Sequence, residues 1–455
     1  MSLFTAVEMA PRDPILGLNE QFNADSNPAK VNLGVGVYYD DNGKLPLLEC
    51  VQAAEKQMMA SPKPRGYLPI EGIAAYDAAV KALVFGAESE PVKSGRVATA
   101  QGIGGTGGLK IGADFLKKLN PNAIVLISDP SWENHRALFT QAGFVVESHP
   151  YYDAVNRGIN FEGMLEALNK AAPGTIVLLH ACCHNPTGYD ITAAQWDQVI
   201  AAVKARQLTP FLDMAYQGFG HGIKQDGAVV DKFVSAGLSF LVSTSFSKSF
   251  SLYGERVGAL SVLCQDKPEA ERVLSQLKLV IRANYSNPQI HGGTVVATVL
   301  NTPALRELWE QELSEMRVRI KDMRQKMVDG LKAAGVKQDM SFITQQIGMF
   351  SYSGLSKDQM VRLRTEFGVY GTDTGRMCVA ALNSKNIDYV CAAIAKAAIK
   401  ARVVLVTSEV GAGLTPQSGL SRLFRQAASR VNCRIAAGAK NVILVSAGIP
   451  LLIKG

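Results

Sequence analysis

The sequence predicts an α/β protein: a large domain with a mainly parallel sheet sandwiched by helices, plus a smaller α+β domain. Three observations carry that expectation. Short apolar runs recur without polar alternation, helical patterns separate them, and polar residues gather where the runs end. The runs are AIVLISD (123–129), TIVLLHA (175–181), PFLDMA (210–215), FLVSTSF (240–246) and ALSVLC (259–264). Continuous apolar strands alternating with helices read as a parallel sheet covered on both faces. In such a sheet the ligand crevice lies outside the carboxyl ends of the strands, so those ends are expected to carry function.

The first element after the amino-terminal region that bears on chemistry is RVATAQGIGGTGGLKIGADFLKKL (96–119), a strand, a glycine-rich turn and a helix in that order. Gly102, Gly104 and Gly107 fit the dinucleotide spacing G-x-G-x-x-G, but the acidic residue expected about 20 positions further on is absent, the nearest being Asp129. It is not a P-loop either, because Leu109 separates Lys110 from Gly108. Backbone N–H groups at a helix start, with the Thr106 hydroxyl, make an anion seat.

Further along, HACCHNPTG supplies His180, His184 and Asn185 at one strand end, and Pro186 invites a cis bond. The two histidines are read as structural, since no completed ligand set surrounds them. The run PFLD ends on Asp213, a carboxylate that is costly to bury without a cationic partner. Tyr216 follows it. In FLVSTSFSKSFSLYGERVGAL an apolar strand runs into Ser243, Thr244, Ser245 and Ser247, then Lys248, then Arg256. Lysine beside a buried strand is out of place unless paired or reactive. Desolvation and a neighbouring cation lower its pKa towards the range of a nucleophilic amine, and the hydroxyls with Arg256 suit a phosphate. A protonated pyridine nitrogen would satisfy Asp213.

Beyond residue 300, LRELWEQELSEMRVRIKDMRQKMVDGLKAAG reads as one long helix ending at Gly335, after which MFSYSG and MCVAAL are short strands among helices.

Composition excludes several classes. No apolar stretch reaches the roughly 20 residues that span a bilayer. The opening MSLFTAVEMAPRDP has neither a basic start nor an apolar block, so a cytoplasmic location is expected. Seven cysteines lie scattered, without a CxxC pair, and read as reduced thiols; vicinal Cys182 and Cys183 are given a structural role. Of the net charge of +7, +6 lies after residue 400, on Arg402, Arg422, Arg425, Arg430, Arg434, Lys440 and Lys454 against Glu409 alone. The body is nearly neutral, which leaves a nucleic-acid partner unsupported.

Lys248, Asp213, Asn185 and Arg256 together resemble the fold type I pyridoxal-phosphate aminotransferases. The fuller set resembles their aspartate/aromatic subgroup from residue 13 to about 398: DPILGL, KVNLGVGVYYDDNGK, GYLPIEG, GGTGGL, SDPSWENH, CCHNPTG, DMAYQGF, SFSKSFSLYGERVG, IRANYSNP, MFSYSGL and TGRMCVA. Three of these, SDPSWENH, FSLYGERVG and GRMCVA, resemble bacterial tyrosine aminotransferases more than strict aspartate enzymes.

The resemblance implies pyridoxal 5'-phosphate held by Lys248 as a Schiff base, with Lys248 then moving the substrate proton. It implies Trp132 on the ring face, Asp213 at the ring nitrogen with His135 behind it, and Asn185 and Tyr216 at the phenolic oxygen. Gly105, Thr106, Ser245 and Arg256 would hold the phosphate, with Tyr67 reaching in from a second subunit. Arg376, helped by Asn185 and the Gly36 loop, would grip the substrate α-carboxylate, and Arg282 of a second subunit would face the side chain. A homodimer with shared sites, acting on amino acids and 2-oxo acids, follows. So do an arm over 1–46, a large domain over 47–315 and a small domain over 316–400.

Residues 401–455 depart from this pattern. They resemble the carboxyl-terminal end of adenosylcobinamide kinase/guanylyltransferase, as strand, basic amphipathic helix, strand. That family needs a P-loop, and the chain carries none, so a fused fragment without kinase activity is expected.

Overall fold

The computed structural model describes residues 2–398, 418–438, 442–446 and 449–454. Two compact units emerge, 1–398 and 399–455.

The first unit is built on a seven-stranded sheet. Its strands are β1 (Val97–Ile103), β2 (Ile124–Asp129), β3 (Val145–Pro150), β4 (Ile176–His180), β5 (Thr209–Met214), β6 (Phe240–Ser245) and β7 (Val257–Leu263). They lie in the order β1-β7-β6-β5-β4-β2-β3, parallel except that β7 runs antiparallel to both neighbours. The five runs expected to be strands are strands, shifted by a residue or two at their ends. β3 was not expected; its residues are mostly exposed, as an edge strand's are.

Side chains alternate between two cores, as the two-residue period requires. Val125, Ile127, Ile176, Leu178, Phe211 and Leu241 pack on one face, while Leu126, Val177, Leu179, Leu212 and Val242 pack on the other. Both faces are therefore apolar, and only the strand ends are free to carry charge.

The glycine-rich turn leads straight from β1 into helix α1 (Gly104–Leu119), and helix α2 (Glu133–Gln141) follows β2. Glycine at 104 is required twice over. Its φ is +67°, and a Cβ there would lie 2.3 Å from Arg256 Nη2. The expected long helix is α3 (Pro303–Ala333), opened by proline in its first turn. The short strands β8 (Phe350–Tyr352) and β9 (Arg376–Cys378) pair antiparallel.

In the second unit, helix α4 (Gly419–Gly438) is followed by an antiparallel hairpin, Val442–Ser446 with Ile449–Lys454. The expected single last strand is thus two. The strand expected ahead of the helix falls before residue 418, outside the described residues.

Candidate active site

Four parallel strands carry polar residues side by side at or one short of their ends: Asp129, His180, Asp213 and Ser245. His180 is in register with Asp213, and Asp213 with Ser243. The side chains singled out in the sequence converge here because the sheet is parallel and its faces are sealed.

Asp213 is 6% exposed, and its Oδ2 lies 2.7 Å from Nε2 of His135, which is fully buried. His135 Nδ1 is in turn 2.9 Å from Ser131 Oγ. Burial alone would raise the Asp213 carboxyl, but the His135 hydrogen bond, with the electrostatic pull of His135 and Lys248, holds it below its ordinary value. It stays a carboxylate.

Lys248 follows β6. Burial pulls its amine down to about 8; Asp213 opposes that pull, and the cations Arg256 and Arg376 add to it. About a tenth of such an amine is neutral at pH 7, against well under a thousandth for an ordinary lysine. Its Nζ sits 5.0 Å from the Tyr216 ring centroid. Tyr216 is buried, and burial raises its phenol, so it remains a donor.

Two arginines flank this pair, and neither has a carboxylate partner among the described residues. Arg256 donates from Nη1 to Ser247 Oγ at 3.3 Å and to the Tyr253 carbonyl at 3.0 Å. It faces the start of α1, where a Cβ on Gly105 would come within 2.9 Å of Ser245 Cβ and where Thr106 is half-buried. Backbone N–H groups, hydroxyls and a guanidinium thus share one seat.

Arg376, 2% exposed, opens the second seat. Its Nη1 donates to Asn185 Oδ1 at 3.0 Å and its Nη2 to the Gly34 carbonyl at 2.7 Å, the Phe350 ring lies 4.3 Å beneath, and Nε has no partner. A buried cation held only by neutral acceptors is costly unless an anion arrives. It borders a cavity of about 370 Å³ with Ile15, Leu18, Ser131 and Pro186. The Asn185–Pro186 bond is cis.

Trp132 stands at the start of α2 with its ring edge-on to His135, centroids 5.2 Å apart. Gly36 packs on Phe350, where a Cβ would lie 2.6 Å from the ring. Two candidates do not join the cluster. Tyr67 is 94% exposed, and Arg282, exposed near the end of the helix Lys267–Asn284, donates among the described residues only to Ser286 Oγ.

The chain also uses residues that the motifs did not single out: the Gly34 carbonyl, Phe350, Ser131 and Tyr253. Of the vicinal cysteines, both are buried near Asp226, whose carboxylate already accepts from the backbone N–H groups of Gly218, Gly220 and His221.

The set fits pyridoxal phosphate. An anion seat without an acid, a buried carboxylate that stays ionised and an amine with a lowered pKa are what a phosphorylated pyridine aldehyde requires. The second anion seat is then left for a substrate.

The comparisons agree. Residues 28–394 match the model for aminotransferases of class I and II. The chain is 63% identical to an aspartate aminotransferase of Pseudomonas aeruginosa over 87% of this chain and 99% of that one. It is 50% identical to a tyrosine aminotransferase of Klebsiella pneumoniae over 86% and 99%. Among solved structures, an aromatic-amino-acid aminotransferase from Burkholderia pseudomallei, covalently bound to pyridoxal phosphate, superposes with a TM-score of 0.85 at 64% identity, over 87% of this chain and 100% of that one.

The tail matches separately. Residues 370–453 fit the model for cobinamide kinase / cobinamide phosphate guanyltransferase, so that likeness begins earlier than the expected 401 and overlaps the first match. No described helix is long and apolar enough to cross a membrane. The body of this chain belongs to the class I and II aminotransferases, enzymes that depend on pyridoxal phosphate.

Proposed function

We propose that this aminotransferase moves the α-amino group of aromatic amino acids (Tyr, Phe) and of aspartate to 2-oxoglutarate, one half-reaction at a time. The observation that carries the reading is Arg376, a buried guanidinium without an acid beside it. It supports a bidentate grip on the α-carboxylate common to all these substrates.

When bound, pyridoxal phosphate supplies an electron-withdrawing ring that accepts the electron pair of the broken α C–H bond. The chain does the rest. Lys248 holds the cofactor, then its Nζ takes and returns the substrate proton. Asp213, kept ionised and oriented by His135, keeps a proton on the ring nitrogen. Asn185 and Tyr216 donate to the phenolic oxygen, and Trp132 covers the ring face and excludes water. Gly105, Thr106, Ser245 and Arg256 bind the phosphate, while Asn185 and the Gly36 loop steady Arg376.

Tyr67 and Arg282 serve the site of a second copy: Tyr67 at its phosphate, Arg282 at the substrate side chain. Their exposure supports a homodimer, as does the apolar surface at Leu3, Phe4, Val7 and Met9. Within each copy, 47–315 would act as the large lobe and 316–400 as the small one. A cytoplasmic location goes with this reading.

A cavity wall that sets Ile15, Leu18 and Pro186 beside Arg12 suits an aromatic ring and leaves a cation near it for a second carboxylate, whereas Arg364 in the same wall is already paired with Asp373 at 3.0 Å. The test compares kcat/KM for tyrosine, phenylalanine and aspartate with 2-oxoglutarate. The reading expects all three within about a hundredfold of one another. Aspartate alone turning over would reduce it to a strict dicarboxylate enzyme.

A further inference from the structure

A small cavity of about 10 Å³, the room one water molecule needs, lies close to the Asp213–His135 pair. Ser128, His149, Tyr151, His180, His184 and Asp190 are in its wall. Two of these carry a buried nitrogen without a protein partner, His149 Nε2 and His180 Nε2. His149 is 1% exposed. Two residues in the wall of one water-sized space each keep an orphaned ring nitrogen, which calls for a common explanation.

The direction of each hydrogen bond can be worked out. His149 Nδ1 lies 2.9 Å from the Pro150 carbonyl, which only accepts, so Nδ1 carries the hydrogen. Burial lowers the pKa of His149 and brings His180 down to about 3, so both rings are neutral. His149 Nε2 therefore holds a lone pair and needs an O–H donor. The hydroxyls in the wall are committed elsewhere: Ser128 Oγ pairs with His184 Nε2 at 2.8 Å, and Tyr151 donates to the Tyr189 carbonyl at 2.7 Å.

We propose that one ordered water occupies this cavity, donating to His149 Nε2 and accepting from His180 Nε2–H, and that His149 is thereby a positioning residue that fixes the His180 tautomer. The Asp190 carboxylate in the same wall can take the second hydrogen. With Nε2 protonated, His180 turns a lone pair at Nδ1 to its other side, and its ring packs 5.0 Å from that of His135. His149 thus reaches Asp213 through water and His180, whose ring packs against His135, the residue bonded to both Ser131 and Asp213. A cation is the competing occupant, since His135, His180 and Asp213 lie within chelating reach. The 2.7 Å bond between His135 Nε2 and Asp213 Oδ2 already engages two of those three residues with each other.

The experiment is ¹⁵N histidine NMR on the purified holoenzyme, paired with a high-resolution crystal structure. Expected are His149 as the Nδ1–H tautomer, His180 as Nε2–H with a slowly exchanging proton, and one density peak within hydrogen-bond distance of both nitrogens. In His149→Phe the protected His180 resonance is lost, and in His149→Gln, which restores an acceptor, it returns. Finding His180 as Nδ1–H, or a peak at metal-ligand distances, in the unmutated protein overturns the proposal whether or not either variant folds. The link to catalysis rests on the active-site reading above. The tautomers do not, so a correct tautomer in a protein without transamination would separate the two.

Discussion

The buried floor of the site and its exposed fringe differ in kind. On the floor, Lys248, Asp213, Tyr216, Asn185 and Arg376 come together within one chain, sealed by both cores, with titrations displaced by burial and neighbouring charge. On the fringe, Tyr67 and Arg282 point into solvent and touch none of these. The floor holds what every transamination shares, a proton carrier, an electron-sink partner and a carboxylate grip. On the reading proposed above, the fringe would be completed by a second copy, with Tyr67 at the phosphate and Arg282 at the substrate side chain.

The sharpest way to break that contrast is on the floor. Arg376→Ala removes one partner of a buried ion pair formed with substrate, a loss of about 2–5 kcal/mol, which lowers kcat/KM by about 30- to several thousand-fold for every substrate alike. Steady-state kinetics with tyrosine and aspartate checks it. A loss confined to aspartate would mean that Arg376 reads the side chain instead.

The fringe is tested by complementation. Lys248→Ala and Arg282→Ala are each expected to be poor on aspartate. Mixed and allowed to exchange subunits, half the dimers are hybrids with one intact site, so about a quarter of the unmutated activity returns. No recovery, with exchange verified by mass, would place Arg282 in its own subunit's site or outside both.

The smallest effect is expected from the second unit. Deleting the residues after Ala398 leaves kcat/KM within about twofold, because the described contacts of every floor residue lie within 1–398. A larger fall, measured on a deletion that keeps its circular dichroism, would give the tail a part in the site.

Much of the floor was legible in the sequence because each strand brings its chemistry as a local signature, an apolar run ending in a residue that does not belong beside it. FLVSTSFSK and PFLD are of this type. What escaped was of two kinds. β3 hid because an edge strand carries VVESHP, in which Glu147 and Ser148 face water and imitate a loop. The supports of Arg376 hid because Gly34 and Phe350 act through a carbonyl and a ring face, and Gly34 lies 342 positions away in the chain. Neither group announces itself by residue type. The reversal of β7 also escaped, since an apolar run does not state its direction. Tyr67 and Arg282 came from resemblance alone, and the single chain gives them no partners in the site.

The central claim is that the lowered amine of Lys248, and no other lysine, holds the cofactor opposite Asp213. Reducing the holoenzyme with borohydride and mapping its peptides tests it directly. The account predicts one pyridoxyl-bearing peptide, the one containing Lys248, and none in Lys248→Ala. A label on Lys110, in the same glycine-rich region but paired with Asp114, or an unlabelled Lys248, would contradict it.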